Sequence, residues 1–91
     1  MRFVWDERKR LSNLEKHGID FVGCESIFEG LTVTMEDDRF DYGEQRFVTL
    51  GLLEGRVVVV VHTEADKMVR IISIRKATKR EQAFYFQGIQ D

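Results

Sequence analysis

Two side chains able to move protons, His62 and Glu64, stand two residues apart in a run that continues into Arg70, Ser73, Arg75, Lys76, Lys79 and Arg80. Cleavage of RNA through its own 2′-hydroxyl asks for this inventory. The hydroxyl must lose a proton, the phosphorane must be relieved of its extra negative charge, and the departing 5′-oxygen must gain a proton. An imidazole with a reference pKa of about 6.5 suits the acid or base step. A guanidinium suits the phosphate, which it grips with paired hydrogen bonds. His62 and Glu64 are therefore candidate proton carriers, and Arg70, Arg75 and Arg80 candidate phosphate ligands with Lys76 and Lys79 beside them. Phe47 offers a ring on which a base can stack. Each residue also has a plainer reading, a strand-end histidine hydrogen-bonded in place and a solvated basic strand end.

Other chemistries have no matching pattern. His17 and His62 are the only histidines, and neither has the carboxylate spacing of a helical metal site. There is no phosphate-cradling glycine loop, no dinucleotide fingerprint and no serine nucleophile elbow, so neither a metal nor a cofactor is expected. The single cysteine, Cys24, excludes a disulfide framework and reads as a small core residue. No stretch approaches the roughly 20 apolar residues that span a bilayer, and no signal pattern opens the chain. A soluble cytoplasmic protein with no membrane partner is the expectation.

The net charge is −2, which taken whole argues against nucleic acid. The distribution says otherwise. Residues 1–17 carry five basic and three acidic side chains, residues 18–55 two and nine, and residues 56–91 seven and four. The basic excess gathers in the segment that holds the candidate site, as a local polyanion site requires.

The elements that must position these residues form one domain over residues 1–91. Arg2-Phe-Val-Trp5 is a short β-prone run. Asp6 is an N-cap and Gly18 a helix stop, bounding a helix over 7–17. Asn13 and His17, one turn apart, read as a packed helix end. Asp20 caps a second helix that ends near Gly30 and presents Phe21, Cys24, Ile27 and Phe28. Leu31, Val33 and Met35 alternate with polar residues as a strand, and 36–44, including Asp41 and Tyr42, reads as an acidic loop. Residues 46–53 and 56–63 form a hairpin about Glu54-Gly55, residues 67–76 a further strand, and Thr78 with Glu81 a capping box that starts a terminal helix.

Strand parity then sorts the side chains. Pairing Leu53 with Arg56 places Val48, Leu50, Leu52, Val57, Val59 and Val61 on a core face. Phe47, Thr49, Gly51, Val58, Val60 and His62 fall on the other, mixed face, the expected working surface. A two-residue turn at 65–66 adds Val69, Ile71, Ser73 and Arg75 to that surface. It sends Arg70 to the core side, where it needs a rim position or an acidic partner.

Trp5-Asp6, Lys9, Asn13, Lys16-His17-Gly18, the segment Asp41-Tyr42-Gly43-Glu44-Gln45-Arg46-Phe47, the valine hairpin from Gly51, His62-Thr63-Glu64 and the stretch from Arg70 to Glu81 together resemble the BrnT family of type II toxins. The resemblance implies an α+β, RelE-like fold: an antiparallel four-stranded sheet with two N-terminal helices, a short N-terminal strand and a C-terminal helix. It implies a ribonuclease activity that arrests translation, and with the metal-free inventory above the expectation is a metal-independent endoribonuclease. It also implies neutralisation by a BrnA-type antitoxin bearing a ribbon-helix-helix element, as a homodimer or a heterotetramer with that antitoxin, operator DNA being bound only through the complex. By position, Arg46, Arg70, Arg75, Lys76 and Arg80 match the family's basic set, and Tyr85 matches the C-terminal aromatic of RelE-like enzymes. Position 62 is often tyrosine in the family pattern, so the resemblance does not demand histidine chemistry. A reading of a different class is a non-catalytic basic module that only engages an antitoxin or other partner.

Overall fold

The computed structural model describes residues 1–38 and 43–90, so Asp41 and Tyr42 of the expected loop lie outside the described residues. The elements run β1 (Arg2–Trp5), α1 (Glu7–His17), α2 (Glu25–Glu29), β2 (Val33–Asp37), β3 (Arg46–Leu53), β4 (Arg56–Ala65), β5 (Met68–Lys76) and α3 (Lys79–Gln90). The α+β class and the element order are as expected. The sheet is not. It is five-stranded and mixed, ordered β1-β5-β4-β3-β2, with β1 parallel to β5 from Arg2↔Met68 to Trp5↔Ile71 and the other pairs antiparallel. The expected four-stranded antiparallel sheet fails at β1 because that strand finds its partner across most of the chain, a pairing no local pattern encodes.

Local chemistry sets the helix ends. Asp6 Oδ1 accepts from the Arg8 and Lys9 amides at 2.8 and 3.2 Å, and Gly18, at φ +70°, closes α1 by donating to the Leu14 carbonyl. The second helix is shorter than expected. Asp20 accepts from the Val22 amide at 3.0 Å and so caps a turn; Gly23, at φ +94°, breaks the helical path before α2 begins. Among the described residues no helix is long and apolar enough to cross a membrane.

Two hairpins and one irregularity decide which side chain faces where. Glu54 and Gly55, both at positive φ, make the β3–β4 turn with Leu53 opposite Arg56 as expected. The β4–β5 turn uses Asp66 and Lys67, again at positive φ, one residue later than expected, with Ala65 opposite Met68. The register then slips: His62 pairs with Ile71 while Val61 pairs with Ser73, leaving Ile72 as the extra residue of a β-bulge.

The α1–α2 segment covers one face of the sheet, here the helix-pair face, through α2 and the turn before it, while α1 lies along the β5 edge, where Asn13 bonds Ile74. Phe21, Cys24 and Ile27 pack there on Val58, Val60, Val69, Ile71 and Ile74. At Gly51 an added Cβ would lie 2.7 Å from Ile27 Cγ2, so the close seating of α2 depends on that glycine. Helix α3 covers part of the opposite face, the α3 face, where Tyr85 packs on Leu50, Val57 and Val59. The face expected to be an open working surface is thus the deeper core, because α2 and the turn before it, rather than solvent, lie against it.

Candidate functional site

The bulge assembles the arginines. Positions 70 and 75 differ by an odd number, so on a regular strand their side chains would point to opposite faces. With Ile72 as an extra residue, Arg70 pairs with Thr63 and Arg75 with Val59, and both project on the α3 face. This corrects the expectation that Ser73 and Arg75 share the face of His62. One register step beyond Phe47↔His62, the β3 residue opposite Thr63 is Arg46. Arg46, Thr63 and Arg70 therefore form a row across β3, β4 and β5, spanning two strand spacings or about 10 Å.

A carboxylate joins the ends of that row. Glu44 Oε1 accepts from Arg70 Nη2 at 2.6 Å and lies 3.6 Å from Arg46 Nη2. Arg70 on the core side of the sheet thus has the rim position and the acidic partner it needs. The hydrogen bond from Arg70 holds the Glu44 carboxyl below the usual carboxylate range.

Further along β5, Arg75 donates from both terminal nitrogens to the two oxygens of Glu81, each at 2.8 Å. Glu81 is also half of the expected capping box: its Oε1 accepts from the Thr78 amide at 2.8 Å, and its own amide donates to Thr78 Oγ1 at 3.1 Å. With the Arg75 guanidinium first among the causes, the Glu81 carboxyl titrates at about 2. Arg80, on the first turn of α3, is exposed and makes no ion pair among the described residues. It borders an apolar groove of about 270 Å³ formed with Met35, Val48, Leu50 and Phe84. Phe84, 48 % accessible, is an exposed aromatic ring beside this groove.

The remaining candidates lie elsewhere. His62 is fully buried on the helix-pair face, stacked on Phe47 at 5.9 Å and met edge-on by Phe28 at 5.2 Å. Its Nε2 shares a 2.7 Å hydrogen bond with Thr49 Oγ1, which is in turn 2.8 Å from Thr34 Oγ1. Among the described residues its Nδ1 has no hydrogen-bond partner, and it lies 3.7 Å from the Glu64 carboxylate. Burial pushes the imidazole pKa down while Glu64 pulls it back. Phe47 faces His62 as the register predicts, but the ring is spent on packing. Lys76 pairs with Val58, on the helix-pair side, and lines a cleft there with His17, Asp20 and Arg56. Lys79 is exposed at the start of α3. Tyr85 is core rather than surface, its hydroxyl donating to the Leu31 carbonyl at 2.8 Å.

Sequence reasoning thus missed Glu44, hidden in an acidic stretch, and Phe84 on the terminal helix. Signals for both were weak: Glu44 stands two residues from Arg46 but 26 from Arg70, and Phe84 is one of three aromatics in a row. Asn13 is the packed helix end it was read as. It donates to the Ile19 and Ile74 carbonyls and accepts from the Ile74 amide, at 3.0, 2.8 and 3.1 Å, satisfying the β5 edge where β1 has ended. Among the described residues no three His, Cys, Asp or Glu side chains converge as a metal site.

A model of the family described as ribonuclease toxin, BrnT, of type II toxin-antitoxin system matches residues 5–81, most of the chain and all of the arginine set. No curated protein matches it.

Proposed function

The chain belongs to the BrnT family of ribonuclease toxins of type II toxin-antitoxin systems, and from that membership we propose that it is an endoribonuclease acting on the α3 face of its sheet. The observation that carries the site is the row Arg46–Thr63–Arg70, continued by Arg75 and Arg80, all on one face and next to an exposed ring. Arg46 and Arg70 bind the phosphodiester, Arg75 and Arg80 stabilise the phosphorane, and Phe84 carries a neighbouring base. The 2′-hydroxyl gives its proton to water and its oxygen attacks phosphorus, and the bond to the 5′-oxygen breaks as that oxygen takes a proton from water, leaving a 2′,3′-cyclic phosphate and a 5′-hydroxyl. The gain comes from in-line orientation and charge stabilisation. A metal-independent course is supported by the residue types on this face, guanidiniums and hydroxyls. His62, dry and on the opposite side, is a structural residue on this reading; Glu64 stands with it.

The finer reading extends to the partners. The substrate is RNA whose loss arrests translation, the antitoxin is of the BrnA type with a ribbon-helix-helix element, and operator DNA is bound through the complex. One observation favours the non-catalytic module instead: neither candidate proton carrier lies on the arginine face. Incubating the purified protein with labelled RNA in EDTA separates the readings. Cleavage with cyclic-phosphate ends, and growth arrest relieved by the antitoxin, are the expected results. Intact RNA with unimpaired growth overturns the enzyme, and cleavage that EDTA abolishes overturns metal independence.

A further inference from the structure

The arginine row already holds an anion. Glu44 presents one carboxylate oxygen to guanidiniums on two different strands, at 2.6 Å from Arg70 and 3.6 Å from Arg46, as a phosphodiester oxygen would between the same two forks. Gly43, at φ +73°, turns the chain so that Glu44 reaches back over the sheet. The pair is not sealed: Glu44 and Arg70 side chains are 40 % and 36 % accessible. The hydrogen bond from Arg70 keeps Glu44 ionised, so it is a weak base and a poor proton acceptor for a 2′-hydroxyl. A permanent anion on a site that takes anions competes for it.

Resting on the reading that this row binds RNA phosphate, we propose that Glu44 is the resident ligand of the phosphate site and is displaced when single-stranded RNA binds. In the free protein its carboxylate keeps Arg46 and Arg70 converged. In the bound state a phosphodiester takes its place, and the unpaired carboxylate opposes the exchange. Glu44 thereby sets the affinity of the site without taking part in the bond changes.

The test is binding of a 2′-O-methylated RNA oligonucleotide, which cannot be cleaved, to the wild-type protein, Glu44→Gln, Arg70→Ala, the double variant, and Glu54→Gln at the distant hairpin tip. Glu44→Gln should bind about two- to fivefold more tightly, with the salt slope steeper by up to about 0.7. Glu54→Gln should change affinity less, and Arg70→Ala should remove the Glu44→Gln gain. Weaker binding by Arg70→Ala with no gain from Glu44→Gln leaves the site standing and overturns the proposal. A gain that Glu54→Gln equals, or that survives Arg70→Ala, also overturns it as mere surface repulsion. Wild-type affinity unchanged by Arg70→Ala, or no RNA binding at all, removes the site reading itself.

Discussion

His62 and Thr63 are consecutive residues of β4, yet one is sealed between two phenyl rings and the other lies between two arginines. The two faces of the sheet differ in the same way along their length. Helix α2 and the turn before it close the helix-pair face, so buried polar groups there are bonded in place, as Thr49 and His62 Nε2 are. One helix covers part of the α3 face and leaves charged groups at its rim. The lesson is that closeness in sequence to a basic run does not enrol a residue in the site; strand parity does, and parity changes at a bulge.

The largest expected effect follows from that division. Arg70→Ala or Arg75→Ala should lower RNA cleavage by about 10²- to 10³-fold, the usual loss when a transition-state donor is removed, while the melting temperature moves by only a few degrees. His62→Leu should leave cleavage per folded molecule unchanged, whereas loss of a true acid or base would cost about 10²- to 10⁴-fold. Rate assays paired with thermal melts check both. A large rate loss in His62→Leu with the fold intact would break the comparison between the faces.

Features that a few neighbouring residues decide were legible in the sequence: the caps at Asp6 and Gly18, the Thr78–Glu81 box, and the Leu53–Arg56 hairpin with the register that sets Phe47 opposite His62. What stayed hidden is non-local. No pattern in Arg2–Trp5 names β5 as its partner, and nothing in the run Met68 to Lys76 marks Ile72 as the extra residue, since every position there suits a strand. That one residue decided the site, because it moved Arg75 across the sheet. The segregated charge was legible as well, but not that Glu44 and Glu81 lie on the arginines themselves. Within the basic segment of the sequence, Arg70 and Arg75 became carboxylate-matched guanidiniums in the fold.

Next in size are substitutions that disturb the helix-pair face alone. Asn13→Ala leaves the Ile74 amide and carbonyl without their partner and should cost about 1–3 kcal/mol, or a melting point lower by about 4–8 °C per kcal/mol in a domain this small. Gly51→Ala forces a methyl against Ile27 and should cost a similar amount by overpacking, about 1–3 kcal/mol. Denaturant melts measure both. Cleavage at a temperature where the variants remain folded should match the wild type, and a selective loss would show that the two faces are coupled through the sheet.

The smallest effect concerns His62, and it reads the dryness of its face directly. Burial lowers the folded pKa of the imidazole below its ordinary value of 6.5, so the unfolded chain takes up its proton first as pH falls. The stability this contributes is therefore complete above about pH 6.5 and is lost as the pH drops below it. The Glu64 carboxylate, 3.7 Å from Nδ1, opposes that shift. Glu64→Gln should lower the His62 pKa further, so the folded state holds its imidazole neutral to a more acidic pH. Titration of the ring resonances by NMR gives the answer. A folded pKa at or above 6.5, or one that rises in Glu64→Gln, would mean that water reaches the imidazole and that the two faces are less different than their packing indicates.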